Sequence, residues 1–403
     1  MNQVLFEGRF LVSMISTMMH KGALQVRYGR MDWERMFRIS DYHHVANIIY
    51  LGLLGNGGLV PERWMSRFFE RYQEALRSGD SCEPAERELL TLLDMEKIPC
   101  VVLSSTTVRG LYELRETADM SPLKLYMSPE SFTLVKGYLI DLGYETIQNF
   151  EECGERMRRV SGLYVDIYRK LPYKTRFYER EMREITLRAR IRNGGESVRI
   201  LSPEDRLVYR MASAAYAYVT DALLIRDMLD LFLYHRAWRD QIDETYVMKK
   251  LQGFRADALA DKLLRLTYMW FGTKEDKEYM QARESEKPED LTAFDTLENR
   301  IFSRGEQGKE KETDPQAIAL NRLLTKLEEK ESRKIKRQLF FKKMAERKRS
   351  VSRFFGWIFP DFKYMSSLYP LLEKAPLLLP FYWIVRGLRL MFGMLTGKNK
   401  NQP

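Results

Sequence analysis

Residues 1–95 carry a helical pattern. An apolar run from Phe10 to Met19 is followed by Trp33, Met36, Phe37, Val45, Ile48, Ile49 and Leu53, mostly at three- and four-residue steps. That spacing predicts two short helices with one apolar face. Gly55, Gly57 and Gly58 break it. A third helix is predicted from Pro61 to Arg77, with Trp64, Phe68, Phe69 and Tyr72 inward, and a fourth over 84–95.

The period changes at Ile98. Val101-Val102-Leu103 is short, apolar and mostly β-branched, which predicts a buried strand. Thr106 to Glu116 reads as a helix and Leu123–Met127 as a second strand. Ser128-Pro129-Glu130 opens the next helix: Ser128 caps, Pro129 suits the first position, and Glu130 suits the positive end of the dipole. That helix runs to Leu142 and stops at Gly143. Further strands are predicted at Tyr144–Gln148, Leu163–Tyr168 and Ser197–Ile200. Ser202-Pro203-Glu204-Asp205 begins a long apolar stretch to about Ala237, read as two helices. Residues 273–318 are polar, contain Pro288, Gly305, Gly308 and Pro315, and predict a loop or linker. The tail from Phe354 to Phe392 is aromatic, apolar and punctuated by proline, and is expected to pack or to bind. No internal repeat is visible.

Composition narrows the class. The chain has 403 residues, 45% hydrophobic and 30% charged, a globular rather than a disordered balance. Its length suggests two or three lobes, each able to bury a core. Three cysteines without a CxxC argue against a disulfide framework or a thiolate zinc site, and four histidines leave little for a His-based metal site. Glu7 and Arg9 interrupt the apolar N-terminus, so no signal peptide is expected. The most apolar stretch, Leu377 to Val385, is interrupted by Pro380 and stopped by Arg386, too short to span a bilayer. These features predict a cytoplasmic protein.

The formal charge of +10 is concentrated. Between Lys326 and Arg353 lie twelve Lys/Arg and four Glu, with no Gly or Pro, so the segment reads as one basic helix. It is either a solvated helix packed by one apolar face or an anion-binding arm for nucleic acid or an anionic membrane surface. The arm candidates are Arg333, Lys334, Lys336, Arg337, Lys342, Lys343, Arg347, Lys348 and Arg349.

There is no P-loop, GxGxxG or GxSxG. His43-His44 has only Asp41 nearby, which favours a satisfied or exposed histidine over a metal ligand. Arg226 and Asp230 suit an i, i+4 pair. Pattern alone nominates no pair of converging carboxylates.

One segment resembles a known family. Ile98-Pro99-Cys100-Val101-Val102-Leu103-Ser104-Ser105, a helix, Met120 to Met127, Ser128-Pro129-Glu130 and Asp141-Leu142-Gly143-Tyr144-Glu145 are similar to uncharacterised bacterial nucleotidyltransferase-like proteins. Asp32-Trp33-Glu34, His43 and Val45 match that family's N-terminal helices. Leu201 to Asp205 and Arg226-Asp227-Met228-Leu229-Asp230-Leu231 match a later helical signature. Glu298 to Phe302 with Gly305 and Gly308, then Phe359-Pro360, Tyr369-Pro370, Leu379-Pro380, Trp383 and Arg386, extend the resemblance over most of the chain.

The family's first strand ends in Leu-Lys-Gly, and its second carries Gly-Asp-hydrophobic-Asp. Such carboxylates hold Mg²⁺ for nucleotidyl transfer, and the i, i+2 spacing on a strand puts both on one face. Here Ser104 and Ser105 replace Lys-Gly, and Pro122 and Lys124 replace the two acids. Pro122 has no ligand atom. Lys124 sets a positive charge where a cation belongs, and at roughly 4 Å two such charges repel by several kcal/mol at intermediate dielectric. A third carboxylate survives as Asp166, and the family's histidine two residues on is Tyr168. Asp119 reaches the site only through a register shift.

The predicted fold is therefore α+β and predominantly helical, with a small mixed-sheet nucleotidyltransferase-like unit flanked by helical lobes. The expected divisions are a helical lobe (1–95), the α/β unit (96–200), a second helical lobe (201–275), a polar linker (276–318) and the basic helix with its apolar tail (319–403). The resemblance and its departures together imply a degenerate member that binds a small-molecule ligand or protein partner. Ser104, Ser105 and Lys124 would line the old phosphate site, and Asp166 would be a remnant. No metal or cofactor is expected. One alternative is an active Mg²⁺-dependent enzyme using Asp166 and unrecognised ligands. Another is an interaction protein that meets an anionic partner through residues 326–353.

Overall fold

A computed structural model describes residues 3–20, 31–54, 60–118, 122–159, 162–171, 173, 175–283, 291–303, 317–325 and 361–395. The chain divides into two compact units, Met1–Leu327 and Glu328–Pro403.

In the first unit, α1 (Gln3–Met19), α2 (Trp33–Tyr42) and α3 (Ala46–Leu54) stand where the helical period places them. Asp32 caps α2 by accepting the Arg35 N–H at 3.1 Å. The next helix differs from expectation: α4 is one element, Glu62–Met95, with Pro84 inside it. Its buried positions Ala75, Ser78, Cys82, Glu86, Leu89, Leu90 and Leu93 keep a single helical stripe through the expected break. Burying that stripe outweighs the roughly 3 kcal/mol that an interior proline costs.

Seven strands follow: β1 (Cys100–Ser104), β2 (Leu123–Met127), β3 (Glu145–Asn149), β4 (Gly154–Arg158), β5 (Tyr164–Tyr168), β6 (Arg190–Ile191) and β7 (Val198–Ile200). They form one mixed sheet in the order β3-β4-β5-β2-β1-β7-β6. β2 pairs antiparallel with β1 and parallel with β5, and β1 pairs parallel with β7. Between β1 and β2 the expected helix is instead two short 3₁₀ segments, Thr106–Leu111 and Arg115–Thr117. Helix α5 (Pro129–Asp141) has the predicted Ser128 cap, and Gly143 ends the turn with a φ of 83° that suits glycine.

One face of the sheet is apolar. Cys100, Val102, Leu123, Leu125, Met127, Met157, Val165 and Ile167 pack with Phe132, Val135 and Leu139 of α5 and with Leu89, Leu90 and Leu93 of α4. Cys82, Cys100 and Cys153 are free and buried, and burial pushes the Cys100 thiol up to about 12. A second core unites the helices. It draws on α6 (Arg176–Arg188), α7 (Pro203–Val219), α8 (Ile225–Trp238), α9 (Glu244–Gly253), α10 (Asp257–Phe271) and α1–α3.

Two further helices, α11 (Lys274–Arg283) and α12 (Leu291–Phe302), occupy the stretch whose polarity suggested a linker. α12 buries Phe294, Leu297, Ile301 and Phe302. It is tied down through Glu298, which accepts from Trp270 Nε1 and from Arg9 Nε, each at 2.7 Å. Helix α13 is described over 317–325. The basic segment beyond it, including Arg333 to Arg349, lies outside the described residues.

The second unit is described over α14 (Phe362–Leu368), α15 (Leu371–Lys374) and α16 (Leu379–Leu395). Among its described residues Met365 and Leu372 are buried, and Arg386 lies over the Tyr364 ring at 5.1 Å. Among the described residues no helix is long and apolar enough to cross a membrane.

Candidate functional site

The opposite face of the same strands is polar. Its geometry follows from register. Lys124 on β2 is the direct partner of Asp166 on β5, Asp166 is the direct partner of Arg156 on β4, and Ser104 on β1 is the partner of Lys124. Direct partners on neighbouring strands project to one face. The four residues therefore form one row across four strands. Ser104 joins it because the β1–β2 register shifts by one residue at Leu103, which re-aims the strand end.

Asp166 is fully buried, and both its oxygens are taken. Arg156 Nε donates to Oδ1 at 2.7 Å and Nη2 donates to Oδ2 at 2.9 Å, a two-bond fork. The Tyr168 hydroxyl donates to Oδ2 at 3.3 Å. The hydrogen bond to Asp166 raises the Arg156 pKa further, so the guanidinium stays charged. Burial, and then the Asp166 charge, push the Tyr168 phenol up, so Tyr168 stays neutral and can donate. Phe150 stacks on Tyr168 at 5.5 Å, and Arg156 lies over the Phe150 ring.

Lys124 is partly exposed, and its charge acts on an acid of the helical side. Asp227, in the first turn of α8, accepts the Leu224 N–H at 3.1 Å. Solvent reaches Asp227, yet protein crowds it, and desolvation raises its pKa; the nearby Lys124 charge offsets part of that rise. The preceding residue, Arg226, is buried for a structural reason. It donates to the carbonyls of His44 and Thr117, to Asn47 Oδ1 and to the Tyr112 hydroxyl, and Tyr112 donates to Asp230 Oδ1 at 2.5 Å. Tyr112 thus bridges the two residues that the sequence suggested as a helical pair. His43 is likewise structural: buried, with Nδ1 accepting the Ile225 N–H at 3.2 Å.

Of the residues that the sequence suggested, Ser104, Lys124 and Asp166 lie in this row. Ser105 is not in the row. It caps the first 3₁₀ segment, and its hydroxyl lies 2.7 Å from that of Thr107. Ser105 also lines a separate cavity of about 450 Å³, with Arg87, Arg115, Arg192 and Arg206 on its walls. Asp119 lies outside the described residues.

The residue that sequence reasoning missed is Arg156. Its strand, Gly154-Glu155-Arg156-Met157-Arg158, has too little apolar character to announce itself. One local signal exists: a side chain at Gly154 would collide with the Ile167 carbonyl, so glycine permits β4 to approach β5.

These residues do not fit a Mg²⁺ ion. Pro122 offers no ligand atom, Lys124 brings a competing positive charge, and Asp166 is already neutralised by a guanidinium. Among the described residues no group of three or more His, Cys, Asp or Glu is placed to hold a metal ion.

A family model described as an uncharacterised nucleotidyltransferase matches residues 29–272, from before α2 to just beyond α10. No curated protein and no solved structure matches the chain.

Proposed function

This chain belongs to the uncharacterised nucleotidyltransferase family, and we propose that it is a catalytically degenerate, cytoplasmic member that binds a ligand or protein partner without transferring a nucleotide. The observation that carries this reading is the Arg156–Asp166–Lys124 row. Where transfer needs anionic side chains around a divalent cation, this row sets two protein cations around one acid. Arg156 satisfies Asp166 permanently. Lys124, partly exposed beside it, is left to attract an anion directly. A phosphate group is the natural occupant, with an ammonium standing where a metal bridge would otherwise neutralise it. Binding on this reading needs no cofactor.

Thermal unfolding with ATP, GTP, CTP and UTP, each with and without Mg²⁺, tests it. At a hundredfold excess over the dissociation constant, binding to the folded state adds about 2.7 kcal/mol. That corresponds to a rise of at least about a degree for a chain this size. The expected result is a metal-independent rise that Lys124→Met removes. A rise that requires Mg²⁺, or pyrophosphate release from any nucleoside triphosphate, overturns the reading. No rise with any nucleotide moves the binding role to a protein partner.

A second reading, an active Mg²⁺-dependent enzyme using Asp166 and other ligands, has one observation in its favour. Asp227 is near enough to Lys124 to feel its charge, so a second acid does approach the row. On that reading Asp166→Asn and Asp227→Asn each abolish Mg²⁺-dependent pyrophosphate release.

A further inference from the structure

We propose that the C-terminal unit seats the protein on an anionic lipid surface, with one stripe of α16 as the inserting face. Three independent observations converge on it. The first is the partition of charge. Residues 328–403 hold seventeen Lys/Arg and six Asp/Glu, whereas residues 1–327 hold 49 and 50. The whole positive excess of the chain therefore sits in the smaller unit. After Glu373 there are five Lys/Arg and no acid at all.

The second is the exposed face of α16. Phe381, Ile384 and Leu388 recur at i, i+3 and i+7, so they share one side of the helix. They are 59%, 63% and 50% exposed, and Leu377, four residues before Phe381, is 95% exposed. This is not the side the unit uses to fold. Tyr382 packs on Tyr369 with ring centroids 4.7 Å apart, and Arg386 packs on Tyr364. The inner face carries these ring contacts, while the outer one presents large apolar side chains to solvent.

The third is what flanks the stripe. Arg389 is exposed on the turn beside it. Basic side chains that reach outward suit the headgroup level of a bilayer. Among the described residues no helix is long and apolar enough to span a bilayer. It fits a helix lying in the interface plane, held by apolar insertion and by attraction of cations to anionic lipid.

Nucleic acid would reward the cations but has no use for an aliphatic stripe. A second copy would reward the stripe but would bring together two strongly positive units. An anionic bilayer uses both features at once.

The test uses the full chain and vesicles of phosphatidylcholine, alone or mixed with phosphatidylglycerol. Co-sedimentation is expected with the mixed vesicles, with much less on the neutral ones, and with a decline as salt rises. The double variant Phe381→Ser, Ile384→Ser is expected to weaken binding to mixed vesicles by roughly tenfold or more, because two inserting side chains are lost. Both positions are exposed, so the helical circular dichroism should stay unchanged. A charge variant, Arg347→Gln with Lys348→Gln and Arg349→Gln, is expected to flatten the salt dependence. Equal binding by the double variant and the parent overturns the proposal, as does equal sedimentation with neutral vesicles. So does retention of an RNA oligonucleotide without vesicle binding, or a dimer in light scattering that the double variant splits. The nucleotide-dependent thermal shift is a separate readout, so failure of either idea leaves the other standing.

Discussion

The two faces of β2 differ by a single residue step and have had different fates. Leu123, Leu125 and Met127 point into the core shared with α4 and α5 and are essentially inaccessible. Lys124, on the alternate face, stands in the row with Asp166 and Arg156. The strand pairs with β5 without interruption and with β1 through the one-residue shift at Leu103. Scaffold and chemistry are thus separable on one five-residue element. The apolar face is constrained by close packing, where every lost methylene leaves a gap. The alternate face is mixed: Leu103 and Tyr126 pack with the helical core, while Arg156 and Asp166 form an ion pair in the row.

The comparison breaks most readily at the apolar face. Leu125→Ala removes a fully buried side chain between two paired strands, and we expect a loss of about 3 kcal/mol in urea unfolding. A cost no larger than that of a polar-face substitution would show that the two faces are not differently constrained.

Asp166→Ala comes next. It leaves Arg156 without its carboxylate, but Arg156 reaches solvent, so a loss of about 2 kcal/mol is expected, below that of a fully buried broken pair. The double variant Asp166→Ala, Arg156→Ala should cost less than the sum of the singles, because the coupling is counted once. Additive costs would mean that the fork contributes nothing as a pair.

Asp94 sharpens the comparison from outside the row. It accepts three backbone N–H groups, from Glu196, Ser197 and Val198, and a donor from Arg192, tying the end of α4 to the β6–β7 hairpin. Burial alone would raise its pKa, but these donors hold it below the usual value. A depressed folded-state pKa means that the stabilisation is complete above the unfolded pKa of about 3.9 and is lost as pH falls through the folded value. Asp94→Asn should cost about 1–2 kcal/mol at neutral pH. That difference from the parent should shrink toward acid. A difference that grows on acidification would contradict the assigned direction.

The smallest effect is expected at the candidate site itself. Lys124→Met should change stability by no more than about 0.5 kcal/mol, as a partly exposed substitution does, while removing the metal-independent nucleotide shift. A large stability loss there would assign Lys124 to the scaffold rather than to binding.

Most of the element pattern was legible before the structure. The apolar runs of α1–α3, the strands β1, β2, β5 and β7, and the caps Ser128 and Ser202 are local signals, written within a few residues of where they act. The unbroken α4, the 3₁₀ segments after β1, the helices α11 and α12 and the strand β4 were not. In each, packing decided against local composition: the stripe running past Pro84, Glu298 held by Trp270 and Arg9, and Gly154 lying under the Ile167 carbonyl.

By itself, then, the amino-acid order determined that Pro122 and Lys124 cannot clamp a divalent cation, since ligand chemistry belongs to the side chain alone. Only the tertiary structure decided what became of Asp166. Arg156 lies ten residues away, beyond a turn, and it meets Asp166 because β4 and β5 pair in one register out of several that backbone hydrogen bonding would allow. That register is chosen by which side chains both faces can bury, a property of the assembled sheet that no single strand contains.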